Sequence, residues 1–243
     1  MSTEFFNDQW RMPSNENQNK ISNYSMKFDG TNQGINLGSN FPYPSVSTDP
    51  WSISFWIKPN LSTSNGIIFS TYDANSINGF YINLRAGTRA IQTFMRAGTT
   101  GYSSIATSNA IAFGEWQHIV VAYNGDYSAT LRGMTIYVNS SPVSIYRIGS
   151  VMTNGSLINS SDKYIGQRED NSNYLTNCDL DQVTFFDYEL SQDQVTQLGA
   201  EGYAFNFNGS NNYLDFNNAS GNIMTNKSLK NLKNNHLLYI YLN

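Results

Sequence analysis

From Met26 to Phe186 the chain consists of short runs in which apolar and polar residues alternate, parted by clusters of Gly, Asn, Ser and Asp. Alternation is the period of a β-strand, whose successive side chains point to opposite faces. Trp51-Ser-Ile-Ser-Phe-Trp-Ile-Lys58 is the plainest case. Ile53, Phe55 and Ile57 fall on one face, with Ser52, Ser54, Trp56 and Lys58 on the other. Pro59 closes the run because proline has no N–H to give a ladder. Further runs at 66–71, 80–85, 91–96, 102–106, 164–166 and 180–186 follow at close spacing. Residues 116–123 are nearly all apolar, as a central strand covered on both faces would be. Two hairpins are predicted: Met26/Phe28 with Ile35/Leu37 around Asp29-Gly-Thr-Asn32, and 134–138 with 143–148 around Asn139-Ser-Ser141. Strands at this density predict an all-β sandwich or barrel.

One short helix interrupts the pattern. Ser191-Gln-Asp-Gln194 is a capping box: the Ser191 hydroxyl accepts an amide one turn on while Gln194 reaches back. Leu190 and Val195 flank it as a hydrophobic staple, and Gly199 is a stop.

Three segments are expected. Residues 1–20 form a polar arm, residues 21–201 the sandwich, and residues 202–243 a partial second repeat or the truncated start of a tandem domain. The repeat is legible in Met26-Lys-Phe-Asp-Gly-Thr-Asn-Gln-Gly-Ile-Asn-Leu37, which aligns without a gap to Phe205-Asn-Phe-Asn-Gly-Ser-Asn-Asn-Tyr-Leu-Asp-Phe216.

Charge narrows the function. Only 13% of residues are charged and the formal net charge is -4, so the chain lacks the clustered cations that nucleic-acid binding needs. No apolar run is long enough to span a bilayer. The N-terminus lacks a basic region followed by an apolar one, so synthesis without a cleaved export signal is expected. The single cysteine, Cys178, rules out an intrachain disulfide and is read as a small packing residue.

Four segments, in order, resemble the laminin-G-like family of the concanavalin A-like lectin and glucanase superfamily. They are Met26-Lys-Phe-Asp-Gly30, the 51–59 strand, Gly114-Glu-Trp-Gln-His-Ile-Val-Val-Ala-Tyr-Asn-Gly125 with the 134–139 strand, and Tyr164-Ile-Gly166 with 179–195. The resemblance implies an antiparallel two-sheet jelly roll. It also implies a calcium ion between the opening turn and the closing strand, where Asp29 and Asp181 would be its ligands. The turn chemistry of Asp29 beside Gly30, with Asp181 facing solvent, is the competing explanation. One departure is the Asn139-Ser140 turn, where the family has Asn-Gly, and a less tight turn is expected there.

Catalysis is not expected. Glycan hydrolysis needs two carboxylates aimed into one cleft, and only Asp179 and Asp181 share the alternate-residue spacing that would do so. His118, inside the 116–123 run, reads as a hydrogen-bonded core residue. Sugar binding would instead use aromatic faces beside amide, hydroxyl and guanidinium groups. Tyr81, Asn83 and Arg85 share one strand face, Phe94 and Arg96 share another, Tyr102 lies in the next turn, and Tyr72-Asp73-Ala-Asn75 is a similarly equipped loop. Outward Tyr and Asn are also ordinary sheet surface. The expectation is a non-enzymatic module binding a glycan or cell-surface polysaccharide, carried on a tailed-phage virion or another outward-facing assembly beside its other proteins. The alternatives are a purely structural protein–protein packing module and, third, a glycoside hydrolase.

Overall fold

The computed structural model describes residues 25–200, except 32, 62–63, 76, 100, 129–132, 151 and 170–175, together with the backbone of Leu238 and Tyr239. The arm at 1–20 and the repeat at 205–216 lie outside the described residues.

The chain folds as two antiparallel sheets packed face to face. The strands in chain order are β1 (Met26–Asp29), β2 (Ile35–Gly38), β3 (Trp51–Pro59), β4 (Gly66–Ser70), β5 (Asn78–Leu84), β6 (Ile91–Ala97) and β7 (Ser103–Thr107). There follow β8 (Gln117–Tyr123), β9 (Met134–Val138), β10 (Ser141–Pro142), β11 (Ile145–Arg147), β12 (Lys163–Ile165), β13 (Asn177–Phe186) and β14 (Leu238–Tyr239), with helix α1 (Gln192–Ala200) after β13. Sheet A runs β1-β13-β3-β8-β9-β10, with β14 also on β13, and sheet B runs β11-β7-β6-β5-β4-β12-β2. This is the jelly-roll sandwich that the alternation and the resemblance imply.

Alternation does what it predicts. Trp51, Ile53, Phe55 and Ile57 of β3 point between the sheets and join Phe80, Ile82, Ile91, Met95, Ile119 and Val121 in one core. Trp51 stacks on Phe80 of the opposite sheet with centroids 4.3 Å apart, fixing the two layers against each other. All of β8 is buried, and each face has its own cover. Ile119, Val121 and Tyr123 enter the inter-sheet core. Val120 and Ala122 pack with Phe186, Leu190 and Val195 beneath α1.

The capping box forms in both directions: the Gln194 amide donates to Ser191 Oγ at 3.4 Å and the Ser191 amide donates to Gln194 Oε1 at 2.9 Å. Leu190 and Val195 are both buried, completing the staple.

Both predicted hairpins are corrected. β1 pairs with β13 in sheet A and β2 with β12 in sheet B, so the chain passes from one sheet to the other between Asp29 and Ile35. Gly30, at φ +77°, makes that change of direction. Likewise β9 pairs back with β10 and accepts one bond from Val143 at Ile136, while β11 crosses over to β7 in sheet B. Adjacent runs in sequence are thus split between layers, as a jelly roll requires.

Candidate functional site

Cross-strand register assembles a row of rings on the outer face of sheet B. Tyr81 is directly opposite Phe94, Phe94 is opposite Ser104, and Ser70 is opposite Tyr81. Tyr72 lies two residues beyond Ser70 and Tyr102 two before Ser104, so the period of two puts all four rings on one face. Tyr81 and Phe94 stack with centroids 4.7 Å apart and planes 5° apart, and Phe94 and Tyr102 stack at 5.1 Å and 24°. Tyr72 meets Phe94 edge-on at 5.2 Å and Tyr81 at 5.9 Å. Tyr81, Phe94 and Tyr102 are half-buried, while Tyr72 is buried.

The spacing defines what the row offers. A ring separation of 4.7 Å equals the distance between neighbouring strands, so Tyr81 and Phe94 stand upright on the sheet. Phe94 is stacked between Tyr81 and Tyr102, so its faces are spent on its two neighbours.

Arginines border the row. The Arg168 guanidinium lies 5.7 Å from the Tyr72 ring and 6.0 Å from the Tyr81 ring. Arg85 Nη1 donates to the Tyr146 hydroxyl at 2.8 Å. Arg96 folds back to donate to the carbonyls of Gly98 and Thr99 at 3.0 and 3.2 Å. Gln92 Nε2 donates to Ser104 Oγ at 2.8 Å on the same face. β4, β5, β6, β7 and β11 carry no acidic residue. The strands of this face therefore carry aromatic and cationic but no acidic side chains, on a chain of negative net charge.

Of the residues singled out in the sequence, Tyr72, Tyr81, Phe94 and Tyr102 come together, with Arg85 and Arg96 at the margin. Asn83 and Asp73 do not serve as surface groups. Asn83 is 2% exposed and its Nδ2 donates to the Leu84 carbonyl. Asp73 is 5% exposed and its Oδ1 accepts from the Asn75 amide, shaping the turn between β4 and β5. Arg168 was not foreseen, because it follows the short strand β12 in a stretch without periodicity. Gln92, Ser104 and Tyr146 were missed because only register places them beside the rings.

The structure does not bring Asp29 and Asp181 together. Asp29 is opposite Asn177, and Asp181 lies four residues further along β13, about 13 Å away at strand rise. Asp29 Oδ1 accepts from the Thr31 amide at 2.8 Å, and Asp181 Oδ1 accepts from the Gln182 amide at 2.8 Å within a β-bulge. The pair is thus corrected to two separate backbone caps. Among the described residues, no three His, Cys, Asp or Glu side chains gather closely enough to hold a metal.

On the other sheet His118 is 1% exposed, and its Nε2 lies 2.8 Å from Ser54 Oγ. Burial holds the imidazole down at about 4, and among the described residues Nδ1 has no hydrogen-bond partner. A Ser–His pair so enclosed, with nothing to orient the ring through Nδ1, lacks the access and the third group that nucleophilic catalysis uses. Cys178 is fully buried, and burial pushes its thiol up to about 12, so it packs rather than reacts.

Residues 29–196 match the family described as the concanavalin A-like lectin/glucanases superfamily. The chain belongs to that superfamily. It is 27% identical over 190 residues to botulinum neurotoxin type X of Clostridium botulinum, an alignment spanning 76% of this chain and 14% of the toxin. Among solved structures it resembles the binding domain of Paraclostridial Mosquitocidal Protein 1 (TM-score 0.54, 20% identity, 72% of this chain and 42% of that one). It also resembles domain 4 of an extracellular GH43 arabinanase from Geobacillus stearothermophilus, solved with arabinotriose (TM-score 0.50, 19% identity, 72% of this chain and 76% of that one). These structural likenesses establish the shared fold. The mosquitocidal-protein match is a binding domain, and the arabinanase match is one domain of a larger enzyme.

Proposed function

We propose that this chain is a non-catalytic recognition module that binds a glycan across the outer face of sheet B, with acidic sugars favoured. The observation that carries the reading is the ring row Tyr72, Tyr81, Phe94 and Tyr102 lying beside Arg168, with its central pair on two strands free of carboxylates. Tyrosine hydroxyls hydrogen-bond sugar hydroxyl groups, and guanidinium is the side chain best shaped for a carboxylate or sulfate. The likeness to an arabinanase domain solved with arabinotriose and to a toxin binding domain supports a glycan or receptor ligand. A shallow, half-exposed face predicts weak single-site affinity, strengthened when several copies act together.

An array of neutral and acidic glycans tests this. Binding is expected to acidic glycans, and Arg168→Gln is expected to weaken it at least tenfold while the fold is retained. An array on which no glycan binds would transfer the face to the rival role of protein–protein packing.

A further inference from the structure

Lys163, at the start of β12, is fully buried, an unusual place for an ammonium group. Its Nζ donates to the carbonyls of Ser39 and Asn159 and to Asn159 Oδ1, each at 3.2 Å, and to the carbonyl of Ser161. The Tyr43 ring lies 4.8 Å from the same nitrogen. An ammonium has three protons, yet four neutral oxygens and a π-face surround it. That is an inner coordination shell, of the kind in which backbone carbonyls replace the water around a monovalent cation. A divalent metal would want carboxylates among its ligands.

The shell is built from separate segments. Asn159 is its hub: the Asn159 amide donates to the Tyr43 hydroxyl at 2.8 Å, and its Nδ2 donates to the carbonyls of Thr71 and Asn78 at 2.8 and 3.1 Å. The charge therefore sits where the segments at 39–43, 71–78 and 158–161 meet. The second of these contains Tyr72, the end of the ring row. An open cleft of about 400 Å³ lies against the cage, lined in part by Phe41, Tyr43 and Asn159.

We propose that these groups form a monovalent-cation site that the chain fills with its own tethered ammonium. Removing the side chain leaves a cage that accepts free ammonium or potassium. Burial pulls the Lys163 amine down, and Glu169, Asp162 and Asp73 act against that shift.

The test is thermal melting of the full chain and its Lys163→Ala variant in chlorides of sodium, potassium, ammonium and tetramethylammonium at one ionic strength. Wild type is expected to melt alike in all four. Lys163→Ala is expected to melt lower in sodium and tetramethylammonium, and to regain about 2–5 °C, saturably, in ammonium or potassium. Equal melting of the variant in every salt overturns the proposal, as does a Lys163→Met chain as stable as wild type. Should neither variant fold, the wild-type chain decides by NMR. A lysine ammonium proton set shielded from solvent exchange is expected, and only fast-exchanging ammonium signals would overturn the cage.

Discussion

Tyr81 and Phe94 face each other across β5 and β6, ring upon ring at 4.7 Å, in the middle of the outer face of sheet B. A direct cross-strand aromatic pair contributes about 0.5–1.5 kcal/mol beyond the area it buries. Phe94→Ala also strips Tyr72 and Tyr102 of their common neighbour. It should destabilise the fold by about 2 kcal/mol. In a double-mutant cycle by denaturant unfolding, a Tyr81–Phe94 coupling near zero would contradict the stacked arrangement.

His118 makes stability pH-dependent. Its imidazole titrates at about 4 in the fold, against 6.5 in the unfolded chain. The fold holds it neutral, so the unfolded chain binds the extra proton between those values. The contribution is complete above pH 6.5, declines as pH falls toward 4, and at its limit costs about 3 kcal/mol. Urea unfolding across pH 4–7 should show that slope, and His118→Gln should flatten it.

Gly166 and Gly38 separate two costs of adding a methyl group. Both have positive φ, at +85° and +80°. A Cβ at Gly166 would meet the Phe28 ring at 2.3 Å, while nothing lies within 4 Å of one at Gly38. Gly38→Ala should therefore cost only the left-handed backbone penalty of about 1 kcal/mol, and Gly166→Ala about 3 kcal/mol with Phe28 displaced. Melting temperatures of the two variants compare them directly.

Asn139 and Ser140 both adopt positive φ, at 49° and 64°, so the β9–β10 turn is tight despite lacking glycine. Contacts with α1 hold it: Gln192 Nε2 donates to the Ser140 carbonyl at 2.7 Å, and Ser140 Oγ lies 3.5 Å from the Val195 carbonyl. Ser140→Gly relieves the backbone and loses only the long hydroxyl contact. A gain of about 0.5–1 kcal/mol is expected in chemical unfolding.

Local chemistry carried much of this structure. Ser191 and Gln194 lie within one turn of each other, so their reciprocal cap was legible, and so was the burial of Ile53, Phe55 and Ile57, because the period of a strand sets its faces. The same rule placed Tyr81 and Phe94 outward. It could not say that β1 and β2 belong to different sheets, or that β11 leaves β9 for β7, because pairing joins residues far apart in the chain.

The amino-acid order alone therefore determined the strands, their inward faces, the helix cap and the choice of an all-β sandwich, since each depends on neighbours within a few residues. Tertiary structure decided that the rings stand upright and stacked, that Arg168 joins them, that Asp29 and Asp181 lie apart, and that Lys163 is enclosed. Those outcomes depend on cross-strand register and on oxygens supplied by distant segments, and no spacing in the sequence encodes either.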